Sequence, residues 1–208
     1  MNRRHFILTA LALGAAPPAW TAEPPTILVL GDSLSAEYGI ARGSGWVALL
    51  EEKLAAEKIT AQVVNASVSG DTTAGGRARL PALLKKHAPA VLIIELGGND
   101  ALRGLPLATT EANLSAMAQA AQQAGAKVLL AGMEVPPNYG ADYSRRFQAM
   151  FAQVAKARQT ALVPFLLKGV ADAPNATALF QPDRIHPTAA AHPTILGNVW
   201  PELRKLLK

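Results

Sequence analysis

Five short apolar runs, spaced along the whole chain, place strong limits on how it can fold. The first run, Thr-Ile-Leu-Val-Leu at residues 26–30, ends directly in Gly31. Because no polar residue alternates within it, the run predicts a strand that is buried on both faces. Four similar runs follow at Ala61–Asn65, Ala90–Leu96, Lys127–Ala131 and Ala161–Val163. Strands of this kind are typical of parallel sheets that carry helices on both faces.

Segments with helical spacing separate these runs. In Trp46–Lys58 the apolar residues form one stripe, with the charged residues around the other side. Similar segments occur at 74–87, 109–124, 141–159 and 188–207. Strands that alternate with helices predict βαβ crossovers, and hence a three-layer α/β/α sandwich with a central parallel sheet of about five strands. No linker-like composition divides the chain, so we expect one domain from residue 24 to residue 208.

Composition excludes several classes of protein. The chain contains no cysteine, which excludes a disulfide scaffold, an iron–sulfur protein and a thiol nucleophile. Its formal net charge is +5. The 20 basic residues include Arg3 and Arg4, which lie in an N-terminal segment that we expect to be cleaved off. The rest of the chain has 18 basic and 15 acidic residues, a mildly basic balance. Its basic pairs are not interleaved with aromatic residues, so nucleic acid is not an expected partner.

The first 22 residues have the pattern of a signal peptide. Arg3 and Arg4 precede an apolar stretch from Phe6 to Ala16, which is too short to span a bilayer. The paired arginines resemble a twin-arginine export signal, and an ordinary Sec signal is the alternative. We therefore expect a mature protein that begins near Glu23 and is periplasmic or secreted from a bacterium. No stable membrane insertion is expected after the signal is removed.

The segments that directly follow the first four apolar runs are where we expect the chemistry. Ligands of open parallel sheets bind beyond the carboxyl ends of the strands. These segments are small, polar or glycine-rich, and they are residues 31–35, 66–73, 97–100 and 132–134. The chain has no G-x-S-x-G motif, which excludes the nucleophile elbow of α/β-hydrolases. The histidines do not form a convincing metal site, so no metal is expected.

A serine, a histidine and an aspartate in these positions suggest nucleophilic catalysis. A serine nucleophile requires a base within hydrogen-bond reach and a carboxylate that orients the base. Ser33 follows the first strand, and Asp183 lies three residues before His186. Each also has a simpler interpretation, with Ser33 as the N-cap of a helix and Asp183 as a turn residue. A helix beginning at Ser33 would also place partial positive charge near its hydroxyl. The residues alone leave these alternatives open.

Taken in order, four blocks resemble those of the SGNH hydrolases, the GDSL family of lipases and esterases. The blocks are Gly31-Asp32-Ser33-Leu34-Ser35, Ser69-Gly70-Asp71-Thr72-Thr73, Gly97-Gly98-Asn99-Asp100 and Asp183-Arg184-Ile185-His186-Pro187. The similarity runs from Thr26 to the C-terminus. It is greatest to the branch of periplasmic thioesterase I, lysophospholipase and arylesterase, through residues 97–104 and 137–140. This resemblance implies a flavodoxin-like fold.

The resemblance also implies roles for five residues. Ser33 is the expected nucleophile, His186 the base and Asp183 the residue that orients His186. The backbone N–H groups of Ser33 and Gly70 and the side-chain amide of Asn99 are expected to form the oxyanion hole. Glycine at position 70 would let its amide approach the oxyanion without a Cβ atom in the way. Asp32 and Asp100 could replace Asp183 as the orienting carboxylate, although bracing of the loops is the expected role of both.

The implied reaction is hydrolysis of esters and thioesters of acyl chains, including aryl esters and lysophospholipids. The expected partner is thus a small acyl substrate of a monomeric enzyme, and the mechanism requires no cofactor. Candidate substrate-binding residues on the segments 100–107 and 132–140 are Leu102, Leu105, Leu107, Met133 and Tyr139. Two alternatives remain, namely a carbohydrate acetylesterase of the same superfamily and a non-catalytic binder of lipid or glycan.

Overall fold

Five strands form a single sheet in which every neighbouring pair runs parallel. The structure is a computed structural model, and it describes residues 24–208. The predicted signal peptide, residues 1–22, lies outside the described residues. The strands are β1 (Thr26–Gly31), β2 (Gln62–Asn65), β3 (Val91–Glu95), β4 (Lys127–Ala131) and β5 (Ala161–Val163). Their order across the sheet is β2-β1-β3-β4-β5.

Helices cover both faces of this sheet. They are α1 (Trp46–Ala56), α2 (Thr73–His87), α3 (Gly98–Leu102), α4 (Leu107–Gln123), α5 (Ala141–Arg158), α6 (Ala176–Leu179) and α7 (His192–Leu206). α1 packs beside α7 in one layer, whereas α2, α4 and α5 pack in a row in the other. The predicted α/β/α sandwich with five parallel strands is therefore confirmed. No helix in the described part of the chain is both long enough and apolar enough to cross a bilayer.

Burial explains which parts of the strand prediction were accurate. β1 and β3 lie in the middle of the sheet, and their apolar side chains are almost completely buried. β2 is an edge strand with exposed residues at both ends, Gln62 and Asn65. Its two valines still pack against the core, which accounts for the short apolar run in its sequence.

The last predicted helix begins later than its sequence pattern suggests. Residues 189–191 form a short 3₁₀ turn, and α7 begins at His192. The His192 side chain is buried, and its Nδ1 atom accepts a hydrogen bond of 3.0 Å from the backbone N–H of Trp46. Burial lowers the pKa of His192, which is consistent with a neutral ring. His192 thus has a structural role at the first turn of α1.

The strand order creates a crevice at the carboxyl ends of β1 and β3. From β1 the chain crosses to β2 on one side, and β3 and β4 lie on the other side. A doubly wound sheet binds its ligands at such a reversal, beyond the carboxyl ends of the strands. Ser33 follows β1 and Asn99 follows β3, so both residues lie at this crevice.

Candidate active site

A small hairpin-like segment positions Asp183 and His186. An isolated antiparallel bridge between Phe180 and Pro187 closes the segment. Arg184 adopts a left-handed conformation with φ 56°, which turns the chain sharply between the two residues. This tight turn explains how a carboxylate three residues earlier in the chain reaches the imidazole ring.

Ser33, His186 and Asp183 form a continuous chain of hydrogen bonds. The distance from Ser33 Oγ to His186 Nε2 is 2.9 Å, and that from His186 Nδ1 to Asp183 Oδ2 is 2.6 Å. The other carboxylate oxygen, Oδ1, accepts the backbone N–H groups of Ile185 and His186. These hydrogen bonds, led by that of the His186 ring, lower the pKa of Asp183 to about 2. Asp183 is therefore a carboxylate throughout the neutral pH range.

Contacts between distant segments bring Ser33 and His186 together. The side-chain amide of Gln181 donates a hydrogen bond of 2.8 Å to the carbonyl of Tyr38, in the loop that carries Ser33. The Tyr38 ring also packs on the His186 ring, with 4.2 Å between the centroids. These contacts hold the hairpin-like segment against the β1 loop.

The loop that carries Ser33 does not begin a helix. The N–H groups of Ser35 and Ala36 both donate to the carbonyl of Asp32, and the following residues continue as turns. The first helix begins at Trp46, after two turns that place glycines at positive φ. The alternative of a helix N-cap at Ser33 was therefore wrong, and a helix dipole does not account for the environment of its hydroxyl.

The three expected donors of the oxyanion hole keep hydrogens that no other group of the described residues accepts. Among residues 24–208, neither the Ser33 N–H nor the Gly70 N–H donates to another protein group. The Asn99 side-chain amide donates one hydrogen to Asp32 Oδ2 at 2.9 Å, which leaves its second hydrogen available. Asn99 lies in the first turn of α3, not in the loop that the sequence suggested.

The backbone gives a second reason for glycine at position 70, beside the expected approach of its amide to the oxyanion. A Cβ atom there would meet only the Arg103 Nη2 atom, at 3.6 Å, so space is not limiting. Gly70 has φ 78°, a left-handed conformation that side chains disfavour. Glycine is therefore required by the turn that orients its N–H. Arg103 donates to the Gly70 carbonyl at 2.6 Å and holds this turn from outside.

A buried carboxylate that sequence reasoning missed lies beneath the serine loop. Glu95, the last residue of β3, accepts hydrogen bonds from the Ser35 hydroxyl at 2.7 Å and from the Asp32 N–H at 3.2 Å. Burial and the nearby Asp32 charge raise the pKa of Glu95. A Cβ atom on Gly31 would lie 2.8 Å from its carboxylate, so the glycine makes room for it. An acidic residue inside an otherwise apolar strand was the signal for this group.

Asp32 and Asp100 brace the loops, as expected. Asp32 accepts the Leu34 N–H and the Asn99 amide, whereas Asp100 accepts the Thr73 N–H and hydroxyl. Neither aspartate is hydrogen-bonded to His186 in the described structure, where the ring contacts Asp183 instead. The geometry thus favours Asp183 as the orienting carboxylate.

A cavity of about 610 Å³ opens beside Ser33, Asn99 and His186. Two of the five candidate substrate-binding residues, Leu102 and Met133, line it. The other three do not: Leu107 packs against the core, Tyr139 packs on Tyr143, and Leu105 lies in the segment between α3 and α4. Further apolar residues line the cavity and were missed, among them Phe165, Leu167, Leu34, Phe180 and Ile185. The first two follow β5, whose carboxyl end reaches the same edge of the sheet.

Over residues 24–208, no group of three or more histidine, aspartate or glutamate side chains is arranged to hold a metal ion.

Comparison with known proteins identifies the family of the chain. Residues 29–193 match the GDSL-like Lipase/Acylhydrolase family. The chain belongs to this family. As a member it is an acylhydrolase, and the resemblance to the SGNH hydrolases is confirmed.

Individual members of the family are similar over most of their length. The chain is 53% identical over 186 residues to the esterase TesA of Pseudomonas aeruginosa, covering 89% of this chain and 91% of the relative. It is 41% identical over 186 residues to thioesterase 1/protease 1/lysophospholipase L1 of Escherichia coli K12, covering 89% and 86%. A crystal structure of TesA superposes with a TM-score of 0.84 at 53% identity, covering 87% of this chain and 99% of the other.

Replacement of Asp32 by asparagine is expected to become more favourable for stability as pH rises from acidic to neutral. Burial raises the pKa of Asp32 to about 6, whereas an unfolded aspartate titrates near its ordinary value. Between those values the native state holds a proton that the unfolded state has lost. The free energy of unfolding therefore falls as pH rises through this range, and the ionised carboxylate lowers stability above it.

Urea unfolding of both proteins at about pH 7.5 and about pH 4.5 measures this effect. Relative to the wild type, the Asp32→Asn variant should be more stable at the higher pH than at the lower one. An equal loss of stability at both pH values would contradict the assignment.

Proposed function

We propose that the chain is a serine hydrolase that cleaves esters and thioesters of linear acyl chains through an acyl-enzyme. The observation that carries the proposal is the chain of hydrogen bonds from Ser33 Oγ through His186 to Asp183, with distances of 2.9 Å and 2.6 Å. Nucleophile, base and orienting carboxylate thus stand in the geometry that serine acyl transfer requires.

Acylation begins with proton transfer from the nucleophile. His186 donates its Nδ1–H to Asp183, so Nε2 is the acceptor for the Ser33 hydroxyl proton. As Ser33 Oγ attacks the acyl carbonyl, His186 takes this proton, and the Asp183 carboxylate stabilises the imidazolium that forms. His186 then protonates the leaving alkoxide or thiolate as its bond to the acyl carbon breaks.

Deacylation repeats these steps with water as the nucleophile. Water attacks the acyl carbonyl, and His186 accepts one of its protons. The bond to Ser33 Oγ breaks, His186 returns a proton to this oxygen, and the carboxylic acid leaves. In both steps the Ser33 N–H, the Gly70 N–H and the Asn99 amide donate to the oxyanion. No cofactor is needed for either step.

Replacement of Asn99 by alanine should lower kcat by about 10²–10³-fold, because one preorganised donor to the oxyanion is lost. KM should change little, since the donor acts mainly in the transition state. Steady-state kinetics with a p-nitrophenyl ester measures both values. Turnover near that of the wild type would exclude Asn99 from the oxyanion hole.

The cavity favours acyl chains longer than acetyl. Its apolar lining includes Leu34, Leu102, Met133, Phe165 and Phe180. A relative from Escherichia coli is named a thioesterase and lysophospholipase, and one from Pseudomonas aeruginosa is named an esterase. Thioesters and lysophospholipids carry linear acyl chains that such a cavity can bury. We propose these compounds and aryl esters as substrates.

A series of p-nitrophenyl esters of increasing chain length tests the acyl specificity. Each buried methylene contributes about 0.8 kcal/mol, so kcat/KM should rise up to about fourfold per methylene until the cavity is filled. Leu102→Ala should weaken this dependence, because Leu102 lines the cavity. The matched control is Leu105→Ala, which removes a leucine outside the lining and should leave it unchanged.

The opposite result would indicate a different substrate. Highest kcat/KM for acetyl esters, together with release of acetate from acetylated xylan, would contradict the long-chain proposal and identify a carbohydrate acetylesterase. Absence of turnover on every ester would favour a non-catalytic binder.

We also propose that the enzyme acts outside the bacterial cytoplasm. The proposal rests on the pattern of residues 1–22, with Arg3 and Arg4 before a short apolar stretch. The export route would then be Sec or twin-arginine, and the mature enzyme would begin near Glu23 and act as a monomer.

A further inference from the structure

Large hydrophobic side chains are exposed in one region of the described chain. Within residues 24–208, the large hydrophobic residues that are strongly exposed are Tyr38, Val68, Leu102 and Ile185, with 50%, 51%, 48% and 44% of their surface accessible. Single exposed hydrophobic residues are ordinary, whereas several in one region mark an interaction site.

All four residues lie on segments that carry the candidate active site. Tyr38 packs on the His186 ring. Leu102 and Ile185 line the mouth of the cavity beside Asn99 and His186. Val68 is two residues before Gly70, and its N–H donates to the carbonyl of Gly31 at 3.0 Å. We call these four side chains the apolar rim.

Two arginines accompany the apolar rim. Arg103 follows Leu102 directly, and Arg184 precedes Ile185 and lines the cavity. Both are exposed, and neither forms an ion pair with a carboxylate in the described region. Arg103 donates to the Gly70 carbonyl through Nη2, and its other guanidinium N–H groups have no protein acceptor among the described residues. Of the acidic residues at the cavity, Asp172 is paired with Lys168 and Glu134 accepts a hydrogen bond from Gln148.

We propose that the apolar rim docks the enzyme on an anionic phospholipid surface, with Arg103 and Arg184 at the headgroup phosphates. The proposal rests on the proposed function. Amphiphiles with long acyl chains aggregate because their methylenes avoid water, so such substrates are presented at a surface. Docking through the rim places the cavity mouth and Ser33 against that surface. Arginine supplies bidentate hydrogen bonds to phosphate, and tyrosine suits an interface with an apolar and an aqueous side.

Vesicle binding by the Ser33→Ala protein tests the docking without turnover. Sedimentation with vesicles of phosphatidylcholine and phosphatidylglycerol should show binding that weakens as salt is raised. Val68→Asp in this background should lower the partition coefficient at least about tenfold. Leu102→Asp should do the same at a second position of the rim, and circular dichroism shows whether each variant is folded.

Two control variants separate docking from charge alone. Ala56→Asp adds the same charge at the exposed end of α1, away from the carboxyl edge of the sheet, and should leave binding within twofold of the parent. Arg184→Gln should reduce binding to anionic vesicles about fivefold and leave binding to pure phosphatidylcholine unchanged.

Several results would overturn the proposal. The proposal fails if the Ser33→Ala protein does not bind vesicles, or if the folded rim variants bind as tightly as this parent. It also fails if Ala56→Asp loses as much binding as the rim variants do. The rim would then contact single acyl chains or a protein that carries them. Since the assay reads no hydrolysis, its failure leaves the proposed function intact. Conversely, an inactive wild-type enzyme that still binds vesicles would contradict only the proposed function.

Discussion

Replacement of Ser33 by alanine is expected to lower kcat for an acyl ester by roughly 10⁶-fold. The loss is large because no acyl-enzyme can form and His186 then has no nucleophile to activate. The three oxyanion donors would remain, so hydrolysis above the rate in water should persist through direct attack by water. The expected KM is close to that of the wild type, because the serine hydroxyl contributes little to binding of the ground state.

Covalent trapping tests the same residue independently of turnover. An organophosphonate ester should add to the wild-type enzyme, and peptide mass spectrometry should place the adduct on Ser33. The matched control is Ser35→Ala, since Ser35 is a buried serine of the same loop that donates to Glu95. This variant should still form the adduct. An adduct elsewhere, or unimpaired turnover by Ser33→Ala, would refute the proposed nucleophile.

Replacement of Asp183 by asparagine is expected to lower kcat by about 10⁴-fold with little change in structure. The Asp183 carboxylate accepts a hydrogen bond of 2.6 Å from the Nδ1–H of His186. An asparagine amide that donates to Nδ1 would favour the other tautomer, with the proton on Nε2. His186 would then present a donor to Ser33 and could not take the serine proton. The stabilising charge next to the imidazolium would also be lost.

The matched controls for Asp183 are the two other aspartates near the site. Asp32→Asn and Asp100→Asn should each reduce kcat much less than Asp183→Asn, because their carboxylates hold Asn99 and Thr73 instead of the histidine ring. Kinetics of the three variants on one ester compares them directly. A greater loss in either control would reassign the orienting role.

The strands were predictable because each is a local pattern with a single physical meaning. The apolar run that became β4 has the predicted bounds, Lys127–Ala131, since a strand buried on both faces tolerates few polar residues. The short helix α3 was missed, because five residues are too few to show helical periodicity. Asn99 was accordingly expected in a loop, although its place after β3 was anticipated correctly.

The surroundings of the candidate site were less predictable than its reactive groups. Glu95 reads as part of an apolar strand, and its pairing with Ser35 and the Asp32 N–H depends on packing across 60 residues or more. Leu105 and Leu107 were expected in the cavity because they are apolar and near Asn99. Sequence position could not show that the turn after α3 directs them elsewhere.

Local order along the chain determined the α/β alternation, the edge of the sheet that carries the chemistry, and the residue types able to perform it. Hydrophobic periodicity and turn chemistry act over a few residues, so they can be read from the sequence. Only the tertiary structure decided that Ser33 meets His186 across 153 positions, and which side chains line the cavity. Those outcomes depend on loop paths and packing between distant segments, and no local pattern encodes them.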